Sequence, residues 1–397
     1  MSFFFSIVYL VIEYLRPQSM YAILSGLPLA QIAIIGSIIS FVLERRKLAN
    51  YNFQNILILL FLFWMFVSYL FSIDRESSWQ PLVDFIKVIV VYFLLINIIN
   101  EKQRLYWFAV VLILIHLKFS QFLTRGMLLR GIGLGKSGLY AGAGLLSNPG
   151  DLATALATVF GISYYLAKLD HARLFNFFKV QWLFIAGAIT IPIGIIASNT
   201  RGALLAIAVS SLGIVHKSKR KFLAVLLLIL AGFVLIALIP NWERYQQTGT
   251  DADTTTQIRT RLLRISLQML EEYPWTGGGP NNFVFVDKSF SSSEKVKLVQ
   301  HNIYLQAATE LGYPGLLLFV AIILGCFYNH RKTRRILIEK KLDDSFLHAL
   351  SHGLDISIIG FMVSAFFVSV LYYPIFWIFV IIGVALLDIA KRLPVKD

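Results

Sequence analysis

The sequence predicts an all-α integral membrane protein with about twelve transmembrane helices and one large external loop between spans nine and ten. Three observations predict it. Only 15% of the 397 residues are charged and 57% are hydrophobic, against about 25% charged in a soluble domain, so there is too little polar surface to clothe a water-facing globule. The mean hydropathy is +0.71. The apolar residues come in runs of about 17–20, the length that crosses a hydrocarbon core as helix, and not as the roughly ten-residue alternating segments of an outer-membrane barrel.

Spans are expected near residues 3–24, 27–43, 55–72, 80–99, 104–122, 149–168, 182–198, 203–216, 222–240, 303–328, 355–373 and 374–390. The first stretch, Ser2 to Leu15, has neither a basic leader nor a small-residue cleavage site and reads as a retained span. Alternate connections carry Arg45-Arg46-Lys47, Lys102/Arg104, Lys168/Arg173/Lys179, Lys217 to Lys221, Arg331 to Lys341, and Lys391/Arg392/Lys396. These hold 21 of the 36 Lys and Arg, so by the positive-inside rule they face the cytoplasm, as do both termini. The net charge of +14 is therefore mostly topology and gives no reason to propose nucleic-acid binding. The single cysteine, Cys326, excludes a disulfide scaffold, a thiolate metal cluster and a CxxC redox site.

Three regions follow: an N-terminal bundle of about nine spans over 1–240, an external loop domain over 241–302, and a C-terminal bundle of about three spans over 303–397. A shorter external connection, 123–148, is Gly-rich and weakly polar. In the large loop, a tip around Asp251-Ala252-Asp253 precedes a helical stretch from Gln257 to Glu272. That stretch ends at Pro274, and Gly277-Gly278-Gly279-Pro280 cannot continue it.

Several motif matches fail on context. Gly133, Gly135 and Gly138 have the spacing of a dinucleotide fingerprint but follow no strand and open no βαβ unit. Asp251 and Asp253 suit a metal, yet two carboxylates among Thr and Gly read more simply as solvated loop. The histidines form no metal set, since only His301 is external.

What remains is polar groups at the outer edges of apolar spans. Ser198-Asn199-Thr200-Arg201-Gly202-Ala203 lies between two apolar runs with almost no loop. A guanidinium there either snorkels as a helix anchor or faces a polar cavity. Arg259, Arg261 and Arg264 follow on the loop helix; Arg259 and Arg261 point about 200° apart, so they cannot all serve one ligand. His301 stands where the loop returns to the membrane, and a neutral imidazole there can take a proton from an alcohol.

The order Ser-Asn-Thr-Arg-Gly-Ala at 198–203, then Tyr273-Pro274-Trp275-x-Gly277-x-Gly279-Pro280-Asn281-Asn282-Phe283, then His301-Asn302 with Leu305, Glu310, Gly312 and Gly315, resembles the O-antigen ligase and polymerase superfamily. Arg16-Pro17 and Leu146 to Ala153 are similar to its branch of O-glycosylation ligases. The resemblance implies an inverting glycosyltransferase without metal or cofactor. Such an enzyme moves a glycan from undecaprenyl diphosphate to a hydroxyl of a glycan, lipid or protein acceptor on the periplasmic face. Carried over, Arg201 and Arg259 hold the diphosphate, with Arg261 as the alternative to Arg259, and His301 activates the acceptor. Leu263 stands where the family often has Trp. The rival class is a transporter of lipid-linked sugars, which calls for polar sites near the bilayer midplane; Asp84, Lys87 and Lys118 are the main charges within the expected spans.

Overall fold

A computed structural model describes residues 1–44, 48, 51–130, 146–169, 173–174, 178–218, 254–283, 299–342 and 344–395. The described chain is helical apart from a two-residue antiparallel pairing of β1 (Arg173–Leu174) with β2 (Phe178–Lys179). In chain order the helices before that pairing are α1 (Ser2–Leu15), α2 (Pro17–Met20), α3 (Leu29–Leu43), α4 (Phe53–Leu70), α5 (Arg75–Ile98), α6 (Lys102–Arg130) and α7 (Pro149–Leu166). After it come α8 (Gln181–Ala197), α9 (Arg201–His216), α10 (Thr254–Glu272), α11 (Ile303–Glu339), α12 (Ser345–Ser364) and α13 (Pro374–Arg392).

Among the described residues, six helices are long and apolar enough to cross a membrane, namely α4, α5, α6, α11, α12 and α13. α3, α8 and α9 are shorter apolar helices. Twelve spans are expected from the sequence. The ninth of these, 222–240, lies outside the described residues, as do most of the 123–148 connection, the Asp251/Asp253 tip and the three fingerprint glycines. Some expected boundaries move for local reasons. The first helix stops at Leu15 because Arg16 adopts a left-handed conformation (φ 43°) and Pro17 cannot extend the preceding turn. α6 runs on to Arg130, through a stretch expected to be loop, since a lone glycine such as Gly126 weakens a helix without ending it. α11 continues past residue 328 to Glu339, carrying basic residues beyond the apolar run.

α13 is the centre of the bundle. Every residue from Ile375 to Ala390 is buried, the expected condition of a helix that is apolar all round. Trp377 is boxed by Phe61, Phe85 and Phe376 at ring separations of 5.0–5.9 Å, and its indole N–H donates to the Leu371 carbonyl. α7 and α12 approach closely through small residues. Gly161 faces the Gly353 backbone, and Gly360 faces the Ala157 carbonyl. In lipid, where apolar burial gives no net drive between helices, such backbone-level packing supplies the association.

At the end of α9 opposite Arg201, Asp355 gathers His330 Nδ1 at 3.0 Å, Arg334 at 3.0 Å and Lys217 at 3.1 Å. One buried carboxylate thus ties α9, α11 and α12 together, and its neighbours satisfy it as burial requires.

The feature that fixes the other end is a break in α11. Gly312 has φ 68° and ψ −176°, and Pro314 follows, so the carbonyls one turn earlier lose their helical donors. The segment that follows α10 supplies replacements. Gly278 N–H donates to Thr309 O at 2.9 Å and Gly279 N–H to Glu310 O at 3.1 Å. Ser68 Oγ also reaches Glu310 O (2.7 Å), and the Trp64 indole reaches Leu311 O (2.8 Å). In return Tyr313 N–H donates to Pro274 O. A methyl group on Gly312 would strike the Trp275 carbonyl, and one on Gly277 the Glu310 backbone. Both residues also hold positive φ, so Gly277→Ala and Gly312→Ala are each expected to cost more than about 2 kcal/mol. Thermal unfolding followed by tryptophan fluorescence checks this; melting points within 1 K of wild type (order-of-magnitude criterion) would show that the junction contributes little.

Candidate active site

α8 and α9 form a hairpin joined by only Ser198, Asn199 and Thr200, closed by Asn199 in a left-handed conformation (φ 52°). The Thr200 hydroxyl turns back to the Ser198 carbonyl at 3.2 Å and makes no cap for α9. The first turn of α9 therefore presents backbone N–H groups at the same place where Arg201 begins the helix, a combination that favours an anion. Gly202, the next residue, lies directly against the ring of Phe367, and a Cβ there would strike that ring.

Arg259 reaches the same ring from α10, its guanidinium carbon 5.1 Å from the Phe367 centroid. Why Arg259 points inward follows from the register of α10. Leu262, Ile265, Ser266, Met269 and Leu270 are its buried residues, and Arg259 precedes Leu262 by three, on the same face. Arg261 and Arg264 are exposed on the opposite side. Phe367 thus connects the Arg201 turn to the Arg259 helix. Its position is set by Tyr304, which donates to the Met362 carbonyl at 3.0 Å and packs on Phe366 with centroids 4.5 Å apart.

His301 sits in the turn just before α11, itself at positive φ (49°). Its neighbour Asn302 caps that helix, its Oδ1 accepting from the backbone N–H groups of Tyr304 and Leu305. The paired His-Asn thus sets the candidate base His301 beside the residue that caps α11. The residue is exposed, yet the protein on one side of the imidazole desolvates it. That desolvation, and behind it the Arg259 guanidinium, pushes His301 below the usual imidazole value of 6.5. The sign is that of a group kept neutral: protonation requires more acid than for a free histidine.

Behind His301 lies a buried carboxylate. Glu310 accepts from the Tyr372 hydroxyl (2.7 Å), Gln306 Nε2 (3.3 Å) and Gln300 Nε2 (3.5 Å), while Gln300 also donates to Thr309 Oγ1 (2.9 Å). Gln300 immediately precedes His301, so the network holds the turn from within. A cavity of about 490 Å³ opens on this side, lined in part by Gln300, Gln306 and Glu310. His301, Arg201 and Arg259 are not among its walls.

The structure brings the Arg201 turn and Arg259 together at Phe367, with His301 within electrostatic reach of Arg259, and leaves Arg261 on the outer face of α10. Phe367, the Glu310 network and the cavity are not singled out by the sequence reading. The apolar stripe of α10 carried the signal that separates Arg259 from Arg261, through its three-residue offset from Leu262. Nothing local marked Phe367, which is one of 32 phenylalanines.

Fold and site together define a multi-pass helical membrane protein whose candidate site joins guanidinium groups, an uncapped helix N-terminus and an imidazole. Residues 186–320 match the family described as O-Antigen ligase, and residues 1–145 match one described only as a family of unknown function. The first match runs from within α8 into α11 and so holds Arg201, Arg259, Arg261 and His301. Over about a third of its length the chain is therefore similar to the O-antigen ligase superfamily. A search of curated proteins gives no match.

The electrostatic link between Arg259 and His301 has a direct consequence. His301 should titrate below 6.5, and Arg259→Gln, by removing a neighbouring positive charge, should move that midpoint upward. Imidazole proton resonances of the detergent-solubilised protein measure both. A midpoint that does not move in Arg259→Gln would mean that the two groups are uncoupled.

Proposed function

We propose that the protein is a metal-independent, inverting glycosyltransferase that moves a glycan from undecaprenyl diphosphate to an acceptor hydroxyl at the periplasmic face of the bacterial inner membrane. The observation that carries this reading is the convergence of Arg201, Arg259 and His301 on one end of the bundle, within the segment similar to O-antigen ligases.

In this reaction the acceptor oxygen bonds to the anomeric carbon as its proton passes to the neutral His301 imidazole. The bond between that carbon and the diphosphate oxygen breaks, and its electron pair stays on the diphosphate. Arg201, Arg259 and the first N–H groups of α9 receive the developing charge; such donors are commonly worth about 3 kcal/mol each. Two guanidinium forks match phosphate oxygens without a metal. The pKa of His301 supports the base role, since a depressed imidazole stays neutral beside the Arg259 guanidinium. ATP is unnecessary because the donor carries its own activated bond. Ligase, polymerase and protein-glycosylating members of the superfamily differ in the acceptor, and the same chemistry serves each. In this topology both termini are cytoplasmic and residues 241–302 form the external domain.

His301→Ala should abolish transfer while donor affinity stays within a few-fold of wild type, because the imidazole acts in the transition state. Arg201→Lys and Arg259→Lys should each lower turnover at least about tenfold, whereas Arg261→Lys should stay near wild type. Release of undecaprenyl diphosphate from a lipid-linked glycan in the presence of acceptor is the measurement, and full activity in His301→Ala would sink the base assignment. The rate should fall on the acid side only below about pH 6.5, and chelator should leave it unchanged.

Topology is tested separately. In a Cys326→Ala background, a cysteine at Glu272 should react with an impermeant thiol reagent in cells whose outer membrane is permeabilised, and one at Lys341 should not. The reverse pattern would invert the protein and remove the periplasmic site.

A further inference from the structure

The cavity of about 490 Å³ beside the Glu310 network has no part in the chemistry above. Its size lies within the roughly 300–1,000 Å³ range of small-ligand pockets. It is bounded by α1, α3, α5, the start of α13 and the segment that leads into α11, so it reaches from the external end into the bundle.

The charge of its walls says what it does not hold. Lys87 is paired with Asp84 at 2.7 Å, and Arg16 lies 3.7 Å from Glu13. Each cation in the wall thus has a carboxylate of its own, and Glu310 adds a third. A chamber whose cations are each paired with a carboxylate offers a diphosphate no spare positive charge among the described residues.

Its polar atoms also say what it suits. Carboxylates accept hydrogen bonds, the amides of Gln31, Gln300 and Gln306 both donate and accept, and Tyr9, Phe283 and Tyr373 provide flat apolar faces. Ser369 Oγ, in the same wall, is buried with no hydrogen-bond partner among the described residues. This mixture matches an uncharged ring carrying many hydroxyls and apolar C–H faces.

Position decides which sugar. Gln300 lines the cavity while His301, turned by its left-handed backbone, lies close enough to Arg259 to feel its charge. The turn that carries His301 thus adjoins the cavity through Gln300 and lies within electrostatic reach of Arg259. In an inverting displacement the attacking oxygen must approach opposite the leaving diphosphate.

We propose that this cavity is the acceptor chamber and takes a neutral oligosaccharide whose free hydroxyl is presented to His301. The proposal rests on the transferase reading for the word acceptor; the binding of neutral sugar does not. Glu310, through Gln300 and Gln306, shapes the inner wall and the His301 turn together.

Binding is tested without turnover. In a Cys326→Ala background, a cysteine placed at the exposed Gln31 position on the rim is alkylated with a maleimide. Millimolar maltotriose or chitotriose should slow alkylation at least threefold, and inorganic pyrophosphate should not. Protection by pyrophosphate, or by neither probe, overturns the proposal.

Ala30→Trp, which fills the chamber from α3, then tests the role in the reaction. It should raise the acceptor KM at least tenfold and leave the donor KM within twofold. A raised donor KM, or no change in either, overturns the acceptor assignment. If the wild type transfers nothing while the trisaccharides still protect, the transferase reading fails and the sugar chamber stands.

Discussion

A break in a membrane helix leaves backbone carbonyls without donors, and in a medium without water those carbonyls must be satisfied by protein. The break of α11 at Gly312-Tyr313-Pro314 is the constraint on which the candidate-site end of this protein depends. The donors come from a loop, 274–280, whose glycines are there because nothing larger lies that close to a helix backbone. Satisfying the break therefore pins the loop, and the loop carries the end of α10. From there the consequence reaches Arg259. The same junction engages α4 through Ser68 and Trp64 and the start of α5 through Asn282, whose amide is held between Asp74 and Ser78. A sequence feature that looks like flexible Gly-rich loop is in this setting an ordered part of the bundle.

The site is assembled from turns more than from helices. Asn199, Asn281 and His301, three of the non-glycine residues at positive φ, stand at the α8–α9 turn, in the pinned loop and before α11. Left-handed backbone in such residues costs of order 1 kcal/mol or more and persists only where its surroundings impose it. Here the surroundings are helix caps and hydrogen bonds: Asn302 fixes the start of α11, and Gln300 is held by Thr309 and Glu310. Catalytic geometry of the kind proposed needs such support, because donors aimed at developing charge are effective only when they need not reorganise. The two ends of the bundle contrast. At the Asp355 end three cationic or titratable side chains converge on one carboxylate and neutralise it, whereas at the opposite end the Arg201 turn and Arg259 meet at an aromatic ring.

Much of this was legible in the sequence because it depends on composition and local pattern. Apolar run length gave the helical membrane class, and six helices among the described residues meet the length and hydropathy of a span. Pro and Gly marked the end of α10, and the polar groups at 198–203 and 301 stood out against apolar neighbours. Helix ends were less legible where a single residue decides them, as with the left-handed Arg16 that shortens α1 or the tolerated Gly126 inside α6.

By itself the sequence determined that the chain is a helical membrane protein, which of its residues are chemically able to hold an anion or move a proton, and its likeness to O-antigen ligases. Tertiary structure decided which of those residues meet. Arg259 and Arg261 are identical in chemistry and two positions apart, and only the packing of Leu262, Ile265 and Met269 against the bundle turns one inward and the other out. Phe367, distant in sequence from both Gly202 and Arg259, becomes the ring that links them. The cavity has walls from five parts of the chain. Long-range contacts of this kind leave no periodic trace, because each side chain is ordinary in its own helix and acquires its role from a neighbour a hundred or more residues away.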